Sequence, residues 1–449
     1  MREICEKYDV IIVGAGVAGL NVALNLPRDK RVLLLAKESL KHSDSYLAQG
    51  GMCVMRGEAD YAAFFEDTMR AGHRENSPEA VDCMLRHSEE IAADLVRSGV
   101  DFTRDRDGNF AYTREGGHSR ARILYHEDCT GKAISLGLLK QVKRLKNVTV
   151  RPYTVLLDIL CDEEKNECCG AVLSDAKTGE LKAVYADYVV LATGGIGGLF
   201  RFSTNFRSLT GDGVAIALKH GVAVENVDYI QIHPTTLYTK KRGRRFLISE
   251  SVRGEGAVLI DAKGERFTDE LQPRDIVTAA IRKKMSAEGS KFVRLDLRTI
   301  APDRVRLHFP QIVKRCAEEG YDVFNEPIPV VPGQHYFMGG IKSDTHGRTS
   351  MARLFAVGET CSNGVHGKNR LASNSLLESL VFAKRAALKI GAEYTPVDQK
   401  TVERAKHGFN EKEYEDRKTL FAAYRKAVLG EVERAQKARE KTKDKGEKQ

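Results

Sequence analysis

The stretch YDVIIVGAGVAGL at 8–20 constrains this chain more than any other. Val10 to Val13 form an apolar run that leads straight into Gly14-x-Gly16-x-x-Gly19, and Leu20, Leu24 and Leu26 follow as a helix. A second apolar strand, RVLLLAK at 31–37, completes a βαβ unit. A glycine triplet alone says little. Between a strand and a helix it supplies a tight turn, close backbone approach to a pyrophosphate, and helix-on-sheet packing. The chain therefore opens with an α/β dinucleotide-binding domain, with Gly14, Ala15, Gly16, Val17, Ala18 and Gly19 at the nucleotide. The second strand ends in Lys37-Glu38 instead of one clean acid, so either residue could meet the ribose.

At 449 residues, two or three domains are expected. No apolar run reaches membrane-spanning length, and MREICEKYDV lacks the apolar region of a signal peptide. Nine cysteines without regular spacing, Cys168–Cys169 among them, read as reduced thiols of a cytoplasmic enzyme. Neither C-x-x-C nor H-E-x-x-H occurs, so no metal site is signalled. The net charge of +9 is partly local, since residues 433–449 hold seven Lys/Arg against four Asp/Glu. No stacking aromatics interleave these charges, so the tail reads as a solvated helix end and not a nucleic-acid site. A basic surface can instead steer a small dianion toward a cleft.

Further along, SYLAQGG at 45–51 is a small-residue segment that lets backbone approach a flat ring, placing Ser45, Ala48, Gln49, Gly50 and Gly51 near a cofactor. Tyr61, Phe64, Phe65, Thr68 and Met69 keep helical spacing. Ser77-Pro78 then caps and starts a helix burying Val81, Met84, Leu85, Ile91 and Leu95. REGGHS at 114–119 stands out for Glu115 followed by two glycines. VLATGG at 190–195 is a buried strand ending in small residues, and TGDG follows at 210–213.

Between about 229 and 337 the texture changes, with polar residues set among short strands and helices in QIHPT, SVRGEGA, QPRDIV and HYFMGGI. The nucleotide-binding pattern resumes at LFAVGE, 354–359, so the block reads as an inserted domain. HGKNRLASNSLLE at 366–378 puts His366 and Arg370 on a loop before a helix. Ser373 or Asn374 would cap that helix, whose start favours an electron-rich ring or a phosphate. The expected division is 1–228 with 338–392 as dinucleotide-binding domain, 229–337 as capping domain and 393–449 as a helical, basic tail. In that tail Leu420, Phe421, Tyr424, Val428 and Val432 form one stripe that docks on the body.

These motifs, in this order over residues 8–390, resemble the L-aspartate oxidases within the succinate dehydrogenase/fumarate reductase flavoprotein superfamily. The resemblance implies a Rossmann-like FAD-binding domain interrupted by an α+β capping domain. It implies FAD, contacted also by Lys37, Thr193, Gly194, Asp212, Glu359, Ser375 and Leu376. The respiratory enzymes attach FAD through a His five residues before the Gln of AQGG. Here that position is Asp44, with His42 out of register, so non-covalent FAD is implied. Glu115 stands where those enzymes have an apolar residue, and could pair with an ammonium that succinate lacks. Lys368 in HGKNR, Ser249 in a position usually filled by Thr, and a shortened C-terminal domain are departures from the family pattern.

The implied substrate, L-aspartate, is a dianion with one ammonium, so its site needs two positive poles and one negative. Arg274 and Arg370 are the expected carboxylate clamps. His233 and His335 would donate hydrogen bonds, with Gln231, Ser249 and Glu115 completing the pocket. The implied reaction moves a hydride from Cα to the flavin, with oxygen or fumarate as acceptor. A hand-off of iminoaspartate to quinolinate synthase in NAD biosynthesis goes with it. Two other readings compete: a soluble fumarate reductase or succinate-oxidising flavoprotein, and a flavin-binding protein without turnover that meets nucleic acid through its tail.

Overall fold

The computed structural model describes residues 7–446; residues 1–6 and 447–449, the chain start and the last part of the basic tail, lie outside the described residues. The core is a seven-stranded sheet ordered Val148–Pro152, Val32–Ala36, Lys7–Val13, Leu181–Leu191, Glu167–Asp175 and Thr154–Asp162, with Leu354–Ala356 also pairing Leu181–Leu191. Its nucleotide-binding half is parallel, and the hairpin of Thr154–Asp162 and Glu167–Asp175 joins antiparallel. Val10, Ile12, Leu34 and Val190 face one core, and Ile11, Val13, Leu35 and Leu191 face another. A strand buried on both faces has no polar side to alternate, which is why VIIV and LLL are continuous.

The helices Val17–Asn25 and Asn374–Ala392 pack on the first face, and Asp212–Lys219 on the second. The stripe on the helix Arg417–Gly446 lands on the second face as well. Tyr424, Val428 and Val432 are buried there, and the Tyr424 hydroxyl donates to the Leu157 carbonyl at 2.7 Å.

Residues 230–337 build a separate antiparallel sheet, ordered Ile230–Leu237, Ile328–Phe337, Val293–Asp296 and Val258–Ile260. It carries its own core, which includes Leu259, Ile281, Leu295 and Val330. The insertion enters and leaves on neighbouring strands, Ile230 opposite Phe337, and the chain then returns to the main sheet at Leu354. This is the α/β fold with an inserted cap that the sequence implied.

Two local expectations need correction. Ser77 does cap its helix, accepting from the Ala80 N–H, with Pro78 at the first position. That helix stops at Arg86, however, and a second one, Ser88–Arg97, takes over. The His87 ring bonds the Cys83 carbonyl at 2.7 Å, and the Ser88 hydroxyl bonds the Leu85 carbonyl at 2.6 Å, so two side chains compete with the backbone ladder. The other correction, at Ser373, belongs to the site.

Candidate functional site

A cavity of about 1940 Å3, open mouth included, is lined both by the glycine turn and by Arg274 and Arg370. At its nucleotide end the helix Val17–Asn25 starts at Gly16, which has no side chain to cap it; the Val17 N–H meets Ser45 Oγ at 3.4 Å, and the N–H groups that follow are left for an anion. Gly14 has φ +119°, and a Cβ there would meet the Ala192 carbonyl oxygen at 2.0 Å. Gly14, Ala15, Gly16 and Ala18 line the cavity; Val17 and Gly19 do not. Val17 packs into the core, and a Cβ on Gly19 would lie 1.8 Å from the Gly14 carbonyl oxygen. These two shape the turn from behind the cavity wall.

Lys37 and Glu38 both line the cavity, and Lys37 Nζ is held 2.6 Å from Asp212 Oδ2 and 3.0 Å from the Ser208 carbonyl oxygen. Ser45, Ala48, Gln49, Gly50, Gly51, Thr193 and Gly194 also line it. Glu359 takes the Phe337 N–H at 3.0 Å, and burial, with the nearby Asp44 charge, pushes its carboxyl up to about 8. Asp44 accepts the Phe206 N–H at 3.0 Å, and burial pushes it to about 7. Asp44 Oδ2 and Gln49 Oε1 are buried without a partner among the described residues. A cradle of glycines, an uncapped helix end and acceptors that lack donors fit a dinucleotide rich in hydroxyls.

The helix Asn374–Ala392 aims its start at the same cavity through Ser375 and Leu376. Neither expected residue caps it. Ser373 sits at φ +61°, and its hydroxyl accepts the Gly51 N–H at 3.2 Å and donates to Glu115 Oε2 at 2.5 Å. Asn374 Nδ2 turns to the Thr68 hydroxyl at 3.2 Å. The helix end thus stays free to stabilise negative charge on a bound ring.

The other end gathers charge from distant segments. Arg274, first residue of the helix Arg274–Glu288, donates from Nε to Glu250 Oε2 at 2.5 Å and from Nη1 to Gln231 Oε1 at 2.9 Å. Gln231 Nε2 in turn donates to the Arg370 carbonyl at 2.7 Å and to Asn369 Oδ1 at 2.8 Å. Gln231 does not line the cavity, unlike the expectation for a substrate contact. It ties the two arginine-bearing segments together instead.

Arg370 donates to Ser375 Oγ at 3.1 Å, lies 4.5 Å from the Tyr336 ring centroid, and leaves Nε without a partner. Burial, with Arg274 nearby, lowers it to about 10. Burial pushes Glu250 up, but Arg274 and Arg253 outweigh that and hold it below the usual carboxylate range. Glu115 goes the other way: burial and then the Glu250 charge raise it, against bonds from Ser373 and Ser251.

His233 and His335 meet edge to face, with centroids 5.2 Å apart. Burial, then the Arg274 charge, holds both well below the ordinary histidine value, so both rings are neutral at physiological pH. His233 Nδ1 lies 3.1 Å from the Thr235 nitrogen and 3.2 Å from the Thr235 carbonyl oxygen, and its Nε2 is buried without a partner among the described residues. His335 Nδ1 pairs with the Thr204 hydroxyl at 2.8 Å. Ser249 lines the cavity at the head of the helix Glu250–Gly254 and takes the Ser251 N–H at 3.3 Å. Sequence reasoning missed Glu250, which lies next to Ser249 in SESVRGEG; a lone acid there gives no sign of being buried.

Residues 9–376 match the family model described as FAD binding domain. The chain is 48% identical over 385 residues to an L-aspartate oxidase of Clostridium perfringens, covering 86% of this chain and 87% of that one. It is 46% identical over 385 residues to an L-aspartate oxidase of Clostridium acetobutylicum, covering 86% and 88%. Among solved structures, a mutated E. coli quinol fumarate reductase superposes with a TM-score of 0.83 at 31% identity, over 90% of this chain and 73% of that one.

Proposed function

The chain belongs to the L-aspartate oxidases, flavoproteins of the FAD binding domain family, and from that premise we propose how its residues carry the reaction. It oxidises L-aspartate with FAD in NAD biosynthesis. FAD, when bound, supplies the two-electron acceptor for the hydride that leaves Cα. Residue 44 is Asp, and FAD is bound non-covalently.

In this reading Gly14, Gly16 and the start of Val17–Asn25 hold the pyrophosphate, and Glu359 receives hydroxyls of the sugar chain. Asp44 and Gln49 offer further acceptors. Arg274 and Arg370 clamp the two carboxylates, and the neutral rings of His233, through its unpartnered Nε2, and His335 supply uncharged hydrogen-bonding groups. Glu115 receives the ammonium. Its raised pKa makes it a carboxylate that gains from a cation, and a base able to take the proton the amine sheds as the C–H bond breaks. Arg274, bound to Glu250, acts as an electrostatic clamp. The whole arrangement is chiefly one of positioning.

One observation carries the substrate assignment: a buried carboxylate, Glu115, lines the same cavity as two buried guanidinium groups. Glu250 lines the cavity too but is paired with Arg274, so Glu115 is the carboxylate left for the ammonium of aspartate, a group that succinate lacks. Oxygen or fumarate serves as acceptor, and unstable iminoaspartate passes to quinolinate synthase in the cytoplasm. Among the described residues no helix is long and apolar enough to cross a membrane.

Anaerobic mixing with L-aspartate, and separately with succinate, tests the reading through loss of flavin absorbance. Bleaching with aspartate alone, reversed by oxygen or fumarate, is the expected result. Bleaching with succinate alone would move the chain to the fumarate reductase reading.

A further inference from the structure

The strand Thr154–Asp162 and the helix Asp212–Lys219 both start beside the cofactor cavity, which Thr154 and Asp212 line. Their far ends meet at a second cluster. Cys161 Sγ lies 3.3 Å from His220 Nδ1, and His220 Nε2 lies 2.7 Å from Asp158 Oδ1. Asp158 is fully buried, and its other oxygen takes Lys219 Nζ at 2.5 Å and the Tyr414 hydroxyl at 2.8 Å. The carboxylate therefore fixes the imidazole with one nitrogen on the sulfur. The last residue of this strand to line the cavity is Leu156, and at about 3.3 Å per strand residue Cys161 lies roughly 17 Å further along. The cluster is separate from the aspartate site.

Nucleophile, imidazole and buried orienting acid in hydrogen-bond sequence are the arrangement that activates a thiol. Burial by itself would lower His220, but Asp158 and the sulfur outweigh it and raise the ring to about 9, so a cation faces Cys161 at neutral pH. The other described cysteines differ. Cys53, Cys168, Cys169, Cys316 and Cys361 are buried, and burial raises the thiols of the half-buried Cys83 and Cys129. Cys83 has an imidazole nitrogen at 4.0 Å, but that nitrogen is bonded to the Cys83 carbonyl at 2.7 Å.

We propose that Cys161, served by His220 and Asp158, is a nucleophilic modification site that reacts with hydrogen peroxide and small electrophiles. In the peroxide reaction the sulfur attacks one oxygen; an S–O bond forms and the O–O bond breaks. The sulfur attacks as thiolate and loses two electrons to become a sulfenic acid, while the His220 imidazolium gives its Nδ1 proton to the departing hydroxide, which leaves as water. Oxygen accepting the two electrons of aspartate oxidation would generate that oxidant on the same molecule.

The test adds reagents directly to FAD-loaded protein, so it stands apart from the question of acceptor. Iodoacetamide, and hydrogen peroxide followed by dimedone, are mapped by peptide mass spectrometry over time. Cys161 is expected to label at least tenfold faster than Cys83 and Cys129. His220→Gln, checked for retained flavin absorbance, should slow Cys161 tenfold or more while Cys83 and Cys129 keep their rates. Cys161→Ser should lose the fast label and keep aspartate turnover. Equal labelling of the three cysteines in the unaltered protein, or an unchanged Cys161 rate in a flavin-loaded His220→Gln protein, would overturn the proposal.

Discussion

Ser373 Oγ donates to Glu115 Oε2 at 2.5 Å, joining residues 258 positions apart on opposite sides of the inserted cap. The bond explains two things at once: why Ser373 adopts φ +61° without capping its helix, and why a buried acid stays oriented at the substrate end. Removing that acid's charge should then be read in substrate choice. Glu115→Gln is expected to lower kcat/KM for L-aspartate by roughly 10- to 100-fold, the scale of about 1.5–3 kcal/mol for a hydrogen bond to a charged group. Flavin content should not change. Unaltered aspartate kinetics would remove Glu115 from the ammonium site.

Arg274 is fixed by two different acceptors, Glu250 at Nε and Gln231 at Nη1. A lysine keeps the charge but has no second arm, so Arg274→Lys cannot satisfy both and still present a fork to a carboxylate. Turnover is expected to fall about 100-fold or more, equivalent to about 2.7 kcal/mol, with the flavin spectrum retained. Intact turnover would rule out the clamp.

Much of this site was legible because its parts are local strings. GAGVAG, SYLAQGG and HGKNRLASNSLLE each carry their structural reason within a dozen residues, and the cavity unites them. What escaped is what depends on residues far apart. Glu250 becomes a partner of Arg274 only when the cap folds, and Gln231 turns toward the arginines instead of the cavity for the same reason. Ser373 carried the residue type of a cap, yet Glu115 and Gly51 offered it better partners. The break at His87 likewise follows from side chains that bond the preceding turn, which apolar spacing does not register.

Glu359 gives the cofactor-free protein a defined pH response. Its carboxyl sits at about 8 when folded, against roughly 4.3 for a free glutamate, so between these values the folded state holds a proton that the unfolded state has lost. The contribution is fully present below about pH 4.3 and is lost as pH rises toward 8, at up to about 1.4 kcal/mol per pH unit. Asp44 and Glu378, each raised to about 7 by burial, act in the same direction. Denaturant titrations of apo protein should therefore give lower stability at pH 8 than at pH 6.5, with a shallower fall in Glu359→Gln. A flat profile in the unaltered protein would contradict the buried, protonated acid.

The C-terminal helix combines a basic surface with an apolar stripe, and the stripe should matter more to folding. Val428 is 1% exposed against the second core, whereas Arg439 is 38% exposed where it meets Asp228 at 2.7 Å. An aspartate at position 428 would bury a charge without a partner, and Val428→Asp is expected to destabilise by about 3 kcal/mol or more. Arg439→Ala removes a partly exposed ion pair with Asp228, a bond to Asn226 at 2.7 Å and a contact with the Tyr229 ring, which together should contribute about 1–2 kcal/mol, less than the buried charge costs. Thermal melts of the two flavin-loaded variants at matched salt compare them directly. A larger loss from Arg439→Ala than from Val428→Asp would mean that the helix is held by charge, and the docking of the stripe would have to be abandoned.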